Sequence, residues 1–169
     1  MSGVQRTLES SMGQLRLVAD DDALLGVYFP NHPRAPGPQP EARAEHPVLD
    51  EAATQIESWL SGKLTTFTVP IRLVGTDFQQ QVWAALLQVP YGETTTYSAL
   101  TTTLGMAETS IRAVAGANAR NPISIIVPCH RVIGADGSLT GYAGGLRAKR
   151  WLLDHEAEVS GAARTLRLL

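Results

Sequence analysis

Cysteine is almost missing from this chain: Cys129 is the only one in 169 residues. One thiol cannot form an intramolecular disulfide, and it cannot build a structural zinc site on cysteines. Long apolar runs are missing too, and none approaches the roughly 20 residues of a membrane helix. Residues 1–11 lack the basic stretch followed by an apolar one that marks a secretory signal. These absences lead to the expectation of a reducing, cytoplasmic setting with no membrane partner. Strong charge of either sign is also lacking. The net charge of −2 argues mildly against a nucleic-acid partner. What is present, 44% hydrophobic and 18% charged residues, fits a globular protein with a core, and the length allows one domain or two small ones.

The small net charge hides a gradient. Residues 1–75 carry six basic and nine acidic side chains, and residues 76–169 carry eight and seven. Within 112–150, Arg112, Arg120, Arg131, Arg147, Lys149 and Arg150 face only Asp136, a local +5. Such a segment suits a phosphate-bearing partner. A solvated face explains the charge equally well.

Alternating apolar residues predict an antiparallel meander of three strands near 4–9, 14–19 and 23–29, with turns at 10–13 and 20–22. Residues 30–47 hold six of the ten prolines and read as a long, mobile loop. Val48 to Leu60 has helical spacing and is followed by Gly62. Residues 67–73 look extended. Thr76 and Gln79 form a capping-box signal, so a domain boundary is expected near 75. A helix follows, ending near Pro90-Tyr91-Gly92. A short helix at about 98–104, a turn at Gly105 and a helix at about 109–119 give a helix-turn-helix pattern. The second of these helices is built of small residues around Arg112. That composition fits tight core packing and close approach to a nucleic-acid groove equally. Residues 123–127 are apolar and β-like, ending at Pro128. A final helix is expected over about 145–155, with a weakly ordered tail at 157–169.

Cys129 lies in Pro128-Cys129-His130-Arg131-Val132. Free cysteine is among the most buried residue types, so an inert thiol is the plain alternative. A thiol of ordinary pKa, about 8.5, is only a few per cent thiolate at neutral pH and needs a base to attack carbon. His130 is adjacent. Asp136, Asp154 and Glu156 are the candidates to orient it, and the residues alone do not choose among them. Asn121 is near enough in sequence to hold a loop or a ring.

Asn121-Pro122, Ile125 to Val132, Gly141-Tyr142-Ala143-Gly144-Gly145-Leu146, Lys149, Trp151-Leu152-Leu153 and His155-Glu156 together resemble the O6-alkylguanine-DNA alkyltransferases, the methylated-DNA–protein-cysteine methyltransferases. Phe78-Gln79, Val82-Trp83, Pro90 to Glu93, Thr96-Tyr97 and Arg112-Ala113-Val114 extend the likeness over about 76–156. The resemblance implies an α/β fold in two domains. Residues 1–75 would form an α/β scaffold with an antiparallel sheet, ribonuclease H-like. Residues 76–169 would form a mostly helical, winged helix-turn-helix-like domain that binds DNA and accepts the alkyl group.

It also implies roles. Cys129 would accept the alkyl group irreversibly, so the protein would act once. His130 would take the thiol proton through a water, with Glu156 stabilising the charge. Asn121 would tie the recognition helix to the Cys129 segment. Tyr97 would assist nucleotide flipping and serve the leaving guanine. Arg112 would enter the duplex from the minor groove, with Ala113 beside it. Val132, Tyr142, Ala143 and Gly144 would form the base pocket. Many relatives have serine where Ala143 stands, which removes a hydroxyl but keeps the backbone N–H. The zinc-binding relatives' N-terminal cysteines are absent, so no metal and no cofactor are expected. The implied partner is alkylated double-stranded DNA, met by a monomer, with clustering along the duplex left open. The rival readings are a non-catalytic module that recognises alkylated DNA, and a Cys-His hydrolase.

Overall fold

The computed structural model describes residues 3–42 and 45–161. The chain divides into two compact units. The first takes its residues from Met1–Val74 and Pro122–Ile126, the second from Gly75–Asn121 and Val127–Leu169.

The first unit is a meander with one helix. Strands β1 (Val4–Ser10), β2 (Gly13–Ala19) and β3 (Leu24–Tyr28) pair antiparallel in that order. The β1–β2 turn closes because Gly13 takes a φ of 104°, which a side chain would strain. At the next turn Asp20 accepts hydrogen bonds from the N–H groups of Asp22 and Ala23, 2.8 and 2.9 Å away. Helix α1 (Pro47–Leu60) packs on the sheet. His46 caps it, Nδ1 accepting from Leu49 N at 3.2 Å, and proline at the first turn sacrifices no helical hydrogen bond. Leu15, Leu17, Leu24, Val27, Leu49, Ile56 and Trp59 are fully buried and form its core.

The proline-rich segment is a loop, as expected, and its described part is hydrogen-bonded to the sheet. Gln5 N donates to Pro40 O and Ala42 N to Gln5 O, at 2.9 and 2.8 Å. Arg16 Nη1 reaches Gly37 O at 3.0 Å. Residues 67–73 make one bridge, Leu24 to Ile71, instead of a strand.

Residues 123–127 are not a strand either. Ile123 alone bridges to Val27. Ile126 N then bonds back to Ser124 O and Cys129 N to Val127 O, each at 2.8 Å. These two-residue closures bend the chain, and Ile125 takes a φ of 72°. That conformation is costly for a β-branched residue and persists only where the surroundings impose it. Apolar content suggested a strand, but the carbonyls that a ladder would need are spent locally.

The second unit is helical. Helix α2 (Asp77–Leu86) begins at a complete capping box: Gln79 N donates to Thr76 Oγ1 at 3.1 Å and Thr76 N to Gln79 Oε1 at 3.0 Å. Helix α3 (Tyr97–Thr103), a turn through Gly105 and a 3₁₀ turn at Glu108–Ser110 lead to helix α4 (Ile111–Ala119). Buried Trp83 of α2 donates its indole N–H to Ala117 O at 2.9 Å. This fixes α4 against α2. Strands β4 (Thr95–Thr96) and β5 (Val132–Ile133) pair parallel. Helix α5 spans Leu146–Ser160 and ends at Gly161, φ 68°. It is a full turn longer than its expected stop, so Glu156 lies inside it. Of the tail expected to be weakly ordered, 157–160 are helical, and 162–169 lie outside the described residues. Among the described residues no helix is long and apolar enough to cross a membrane, and no cluster of three or more His, Cys, Asp or Glu side chains is placed to hold a metal.

Candidate active site

The chain leaves the second unit after Asn121 and returns at Val127. Asn121 closes that excursion, its Nδ2 donating to Val127 O at 2.7 Å with both groups buried. Pro128 follows, and Cys129, His130 and Arg131 form one 3₁₀ turn. Their exposures are 5%, 0% and 7%. Burial pushes the Cys129 thiol up from its ordinary pKa. The polar side chains of Asn121 and Tyr142 and the charge of Lys149 oppose that rise. The resting group is therefore a thiol with thiolate-stabilising neighbours already in place.

Glu156 reaches the same turn from α5. Its Oε2 lies 2.6 Å from His130 Nε2. An ionised carboxylate only accepts, so Nε2 carries the hydrogen and Nδ1 is the basic nitrogen of the neutral ring. Arg131 grips the same carboxylate as a fork, Nε to Oε1 and Nη2 to Oε2, both at 2.8 Å. Gly92 N adds a bond to Oε1 at 3.1 Å. Burial opposes the charge of Glu156, but His130 and Arg131 outweigh it and hold the carboxyl down at about 2. Burial dominates at His130 and holds it below its usual value, against the pull of Glu156. Of the other two acids, Asp136 accepts from Ser138 N at 3.0 Å in its own turn, and Asp154 is half-buried on α5.

A second wall is built around Thr140. Its Oγ1 donates to Tyr97 Oη at 3.0 Å. Its carbonyl accepts from Lys149 Nζ at 3.1 Å, and the same ammonium bonds Val132 O at 2.6 Å. The β4–β5 pairing sets Val132 beside Thr95, two residues before Tyr97. Tyr142, Ala143 and Gly144 are half-buried in the following loop. Arg112 and Ala113 stand apart from this cluster, exposed on α4. A cleft of about 610 Å³ lined by Gly92, Ile133, Arg150, Asp154, Glu156 and Ala157 borders this cluster at Glu156, and Cys129 is not among its lining residues.

Sequence reasoning missed two members of the site. Arg131 and Lys149 counted toward a basic surface, but both are interior, Lys149 being fully buried. Burial in low dielectric lowers Lys149 to about 8. A signal existed: Lys149, Leu152 and Glu156 recur at i, i+3 and i+7, the spacing of one helix face.

The match to known proteins is broad. Residues 77–158 match the family model described as the DNA-binding domain of 6-O-methylguanine DNA methyltransferase. The chain is 43% identical to the methylated-DNA–protein-cysteine methyltransferase of Mycobacterium tuberculosis, over 95% of this chain and 96% of that protein. The enzyme of the same name from Methanosarcina barkeri is also 43% identical, over 88% and 94%. The crystal structure of M. tuberculosis OGT in complex with DNA superposes with a TM-score of 0.84 at 42% identity, covering 96% of this chain and 98% of that one. Fold and site together define a protein with a buried cysteine and histidine in one turn, in the same unit as two helices joined by a short turn. The chain belongs to the methylated-DNA–protein-cysteine methyltransferase family.

Proposed function

We propose that this chain repairs DNA by direct reversal, moving the alkyl group of O6-alkylguanine, and of O4-alkylthymine, onto Cys129. The observation that carries this reading is the buried Cys129 thiol, in one turn with a histidine whose Nε2 is committed to Glu156. A new S–C bond forms as the O6–C bond breaks. The thiol proton passes to His130 Nδ1 through a bridging water, and the hydroxyl of Tyr97 protonates the departing guanine. Release of the imidazolium proton and reprotonation of Tyr97 balance the cycle. The product is a thioether, which thiols do not exchange, and Cys129 has no second copy in the chain. Each molecule therefore acts once, as a stoichiometric methylated-DNA–protein-cysteine S-methyltransferase without cofactor.

A base inside the stack cannot present its O6 substituent to a fixed sulfur, so the nucleotide must be flipped out, at a few kcal/mol. Arg112, on the exposed face of α4 beside Ala113, enters from the minor groove and fills the vacated space. The backbone of Val132 and Ala143 holds the base edge, with Tyr142 and Gly144 shaping the pocket. The partner is double-stranded alkylated DNA. The protein meets it as a monomer, in the reducing cytoplasm where a free thiol persists.

Incubation with a duplex containing O6-methylguanine tests this. Peptide mass analysis should find one added methyl on the Cys129 peptide. Bound DNA with an unmodified Cys129 would mean a recognition module. Turnover of an ester or amide with release of the intermediate would mean a hydrolase.

A further inference from the structure

The Arg131 guanidinium is occupied on every side. Its Nε and Nη2 form the fork on Glu156. Its Nη1 donates to Val89 O at 2.7 Å. The ring of Tyr91 lies 5.6 Å from Cζ. A planar fork on a carboxylate, stacked against an aromatic ring, is a geometry that lysine cannot reproduce. So enclosed, Arg131 is not available to a phosphate. Its role lies inside the protein.

Glu156 is 1% exposed. A buried carboxylate requires a counter-charge or a proton. His130 shares its oxygen and could supply the charge by protonating. It would then be an imidazolium, with no lone pair left for the proton of Cys129. A guanidinium provides the same positive charge and does not titrate. Glu156 already has that charge from Arg131, so it can orient His130 without ionising it.

We propose that Arg131 is a positioning residue for the transfer reaction: its fork on Glu156 keeps His130 uncharged at rest, so that Nδ1 is open to the proton of Cys129. This rests on the alkyl-transfer reading of Cys129. Three successive positions then carry nucleophile, base and the guarantor of the base's charge state. The charged and titratable groups around His130 are Glu156 and Lys149 from α5, Cys129 and Arg131 from its own turn, and Tyr91 on the far side of the fork. Burial, Arg131 and Lys149 all favour the neutral ring, and Glu156 opposes them.

The test is ¹⁵N NMR of the histidine rings in the full chain, with His130 assigned by the signal lost in His130→Gln. The wild-type ring should be neutral, with its hydrogen on Nε2, at neutral pH. In Arg131→Met the titration midpoint should rise by roughly one to three pH units, and the acid limb of the transfer rate should move with it. Arg131→Lys keeps the charge without the fork, so its midpoint should stay nearer the wild type than that of Arg131→Met. The double variant Arg131→Met/Glu156→Gln removes both charges and should return the ring to neutral, which serves if the single variant does not fold. An imidazolium in the wild type at neutral pH overturns the proposal. So does a folded Arg131→Met with an unmoved midpoint, or a double variant in which His130 is charged. A neutral His130 in a protein that leaves Cys129 unmethylated defeats the alkyl-transfer reading instead, while the charge arrangement stands.

Discussion

Two parts of the second unit carry the chemistry-bearing residues, and they are built in opposite ways. On α4, Arg112, Ala113 and Ala119 are exposed, and the residues between them are small. In the Cys129 turn, every side chain is under 10% exposed, and Glu156 alone accepts from Gly92, His130 and Arg131. One surface is small and exposed. The other is complete, its dipoles and charges set before any substrate arrives. Preorganised groups in a dry site cost no reorganisation at the moment of reaction. The groove-facing role proposed for α4 would gain from the reverse, since smallness and exposure let a helix approach another backbone.

Substitutions at the two places should therefore fail differently. The largest effect is expected at Cys129. Cys129→Ser should abolish transfer while leaving DNA binding intact, read by methyl mass and by gel shift. Loss of binding as well would erase the distinction between the two regions.

Next comes the buried carboxylate. Glu156→Ala leaves the Arg131 guanidinium buried without its counter-ion, and breaking such a pair costs about 3–5 kcal/mol. Urea unfolding should show it as a lower midpoint. Arg112→Ala should leave that midpoint within about 0.5 kcal/mol of wild type, as exposed substitutions do.

Acid reports on the same interaction without mutation. Glu156 is held at about 2 when folded and returns to about 4.3 when unfolded. A group with a depressed folded pKa contributes stability above its unfolded value and loses it as pH falls toward the folded one. The contribution is about 3 kcal/mol, lost between roughly pH 5 and 2. His130, also held below its usual value, acts in the same direction and starts higher, below about pH 6.5. In Glu156→Gln the lower part of this acid loss should disappear, and a wild-type stability that stays flat between pH 5 and 3 would contradict the carboxylate's ionisation.

Arg112→Ala should slow transfer from duplex DNA about ten- to a hundredfold, since unstacking costs a few kcal/mol and 1.4 kcal/mol is tenfold in rate. Reaction with a free-base analogue should be unchanged. Equal slowing of both would take Arg112 out of flipping.

Much of this was legible in the sequence because it is local. The capping box at Thr76 and Gln79, the turns of the meander and the helix-turn-helix are each decided within a few residues. Cys129, His130 and Asn121 were legible through the motif around them. What escaped depends on distant partners. Residues 123–127 are apolar enough for a strand, yet their carbonyls close on neighbours. Arg131 and Lys149 look like surface charges until α5 folds Glu156 and Lys149 over the turn. Helix α5 outran its expected stop because its C-terminal signal is Gly161, five residues past Glu156.

That burial also alters the charge argument, and here the smallest prediction falls. The six basic residues between 112 and 150 suggested a +5 face. With Arg131 and Lys149 inside, four exposed arginines remain, Arg112, Arg120, Arg147 and Arg150, against exposed Asp136. The surface contribution is +3. Each phosphate neutralised contributes about 0.9 to the slope of log affinity against log salt. The slope for duplex binding should therefore not exceed about 4 from this segment. Arg120→Ala and Arg147→Ala should each lower it by up to about one unit. Arg120 carries a further constraint, since its Nη1 donates to Gly116 O at 3.1 Å on α4, leaving its other nitrogens for phosphate. Arg131→Lys, which keeps its charge indoors, should leave the slope unchanged. A drop in that variant would mean the fork opens when DNA binds, and the buried turn would then be no more complete than the helix beside it.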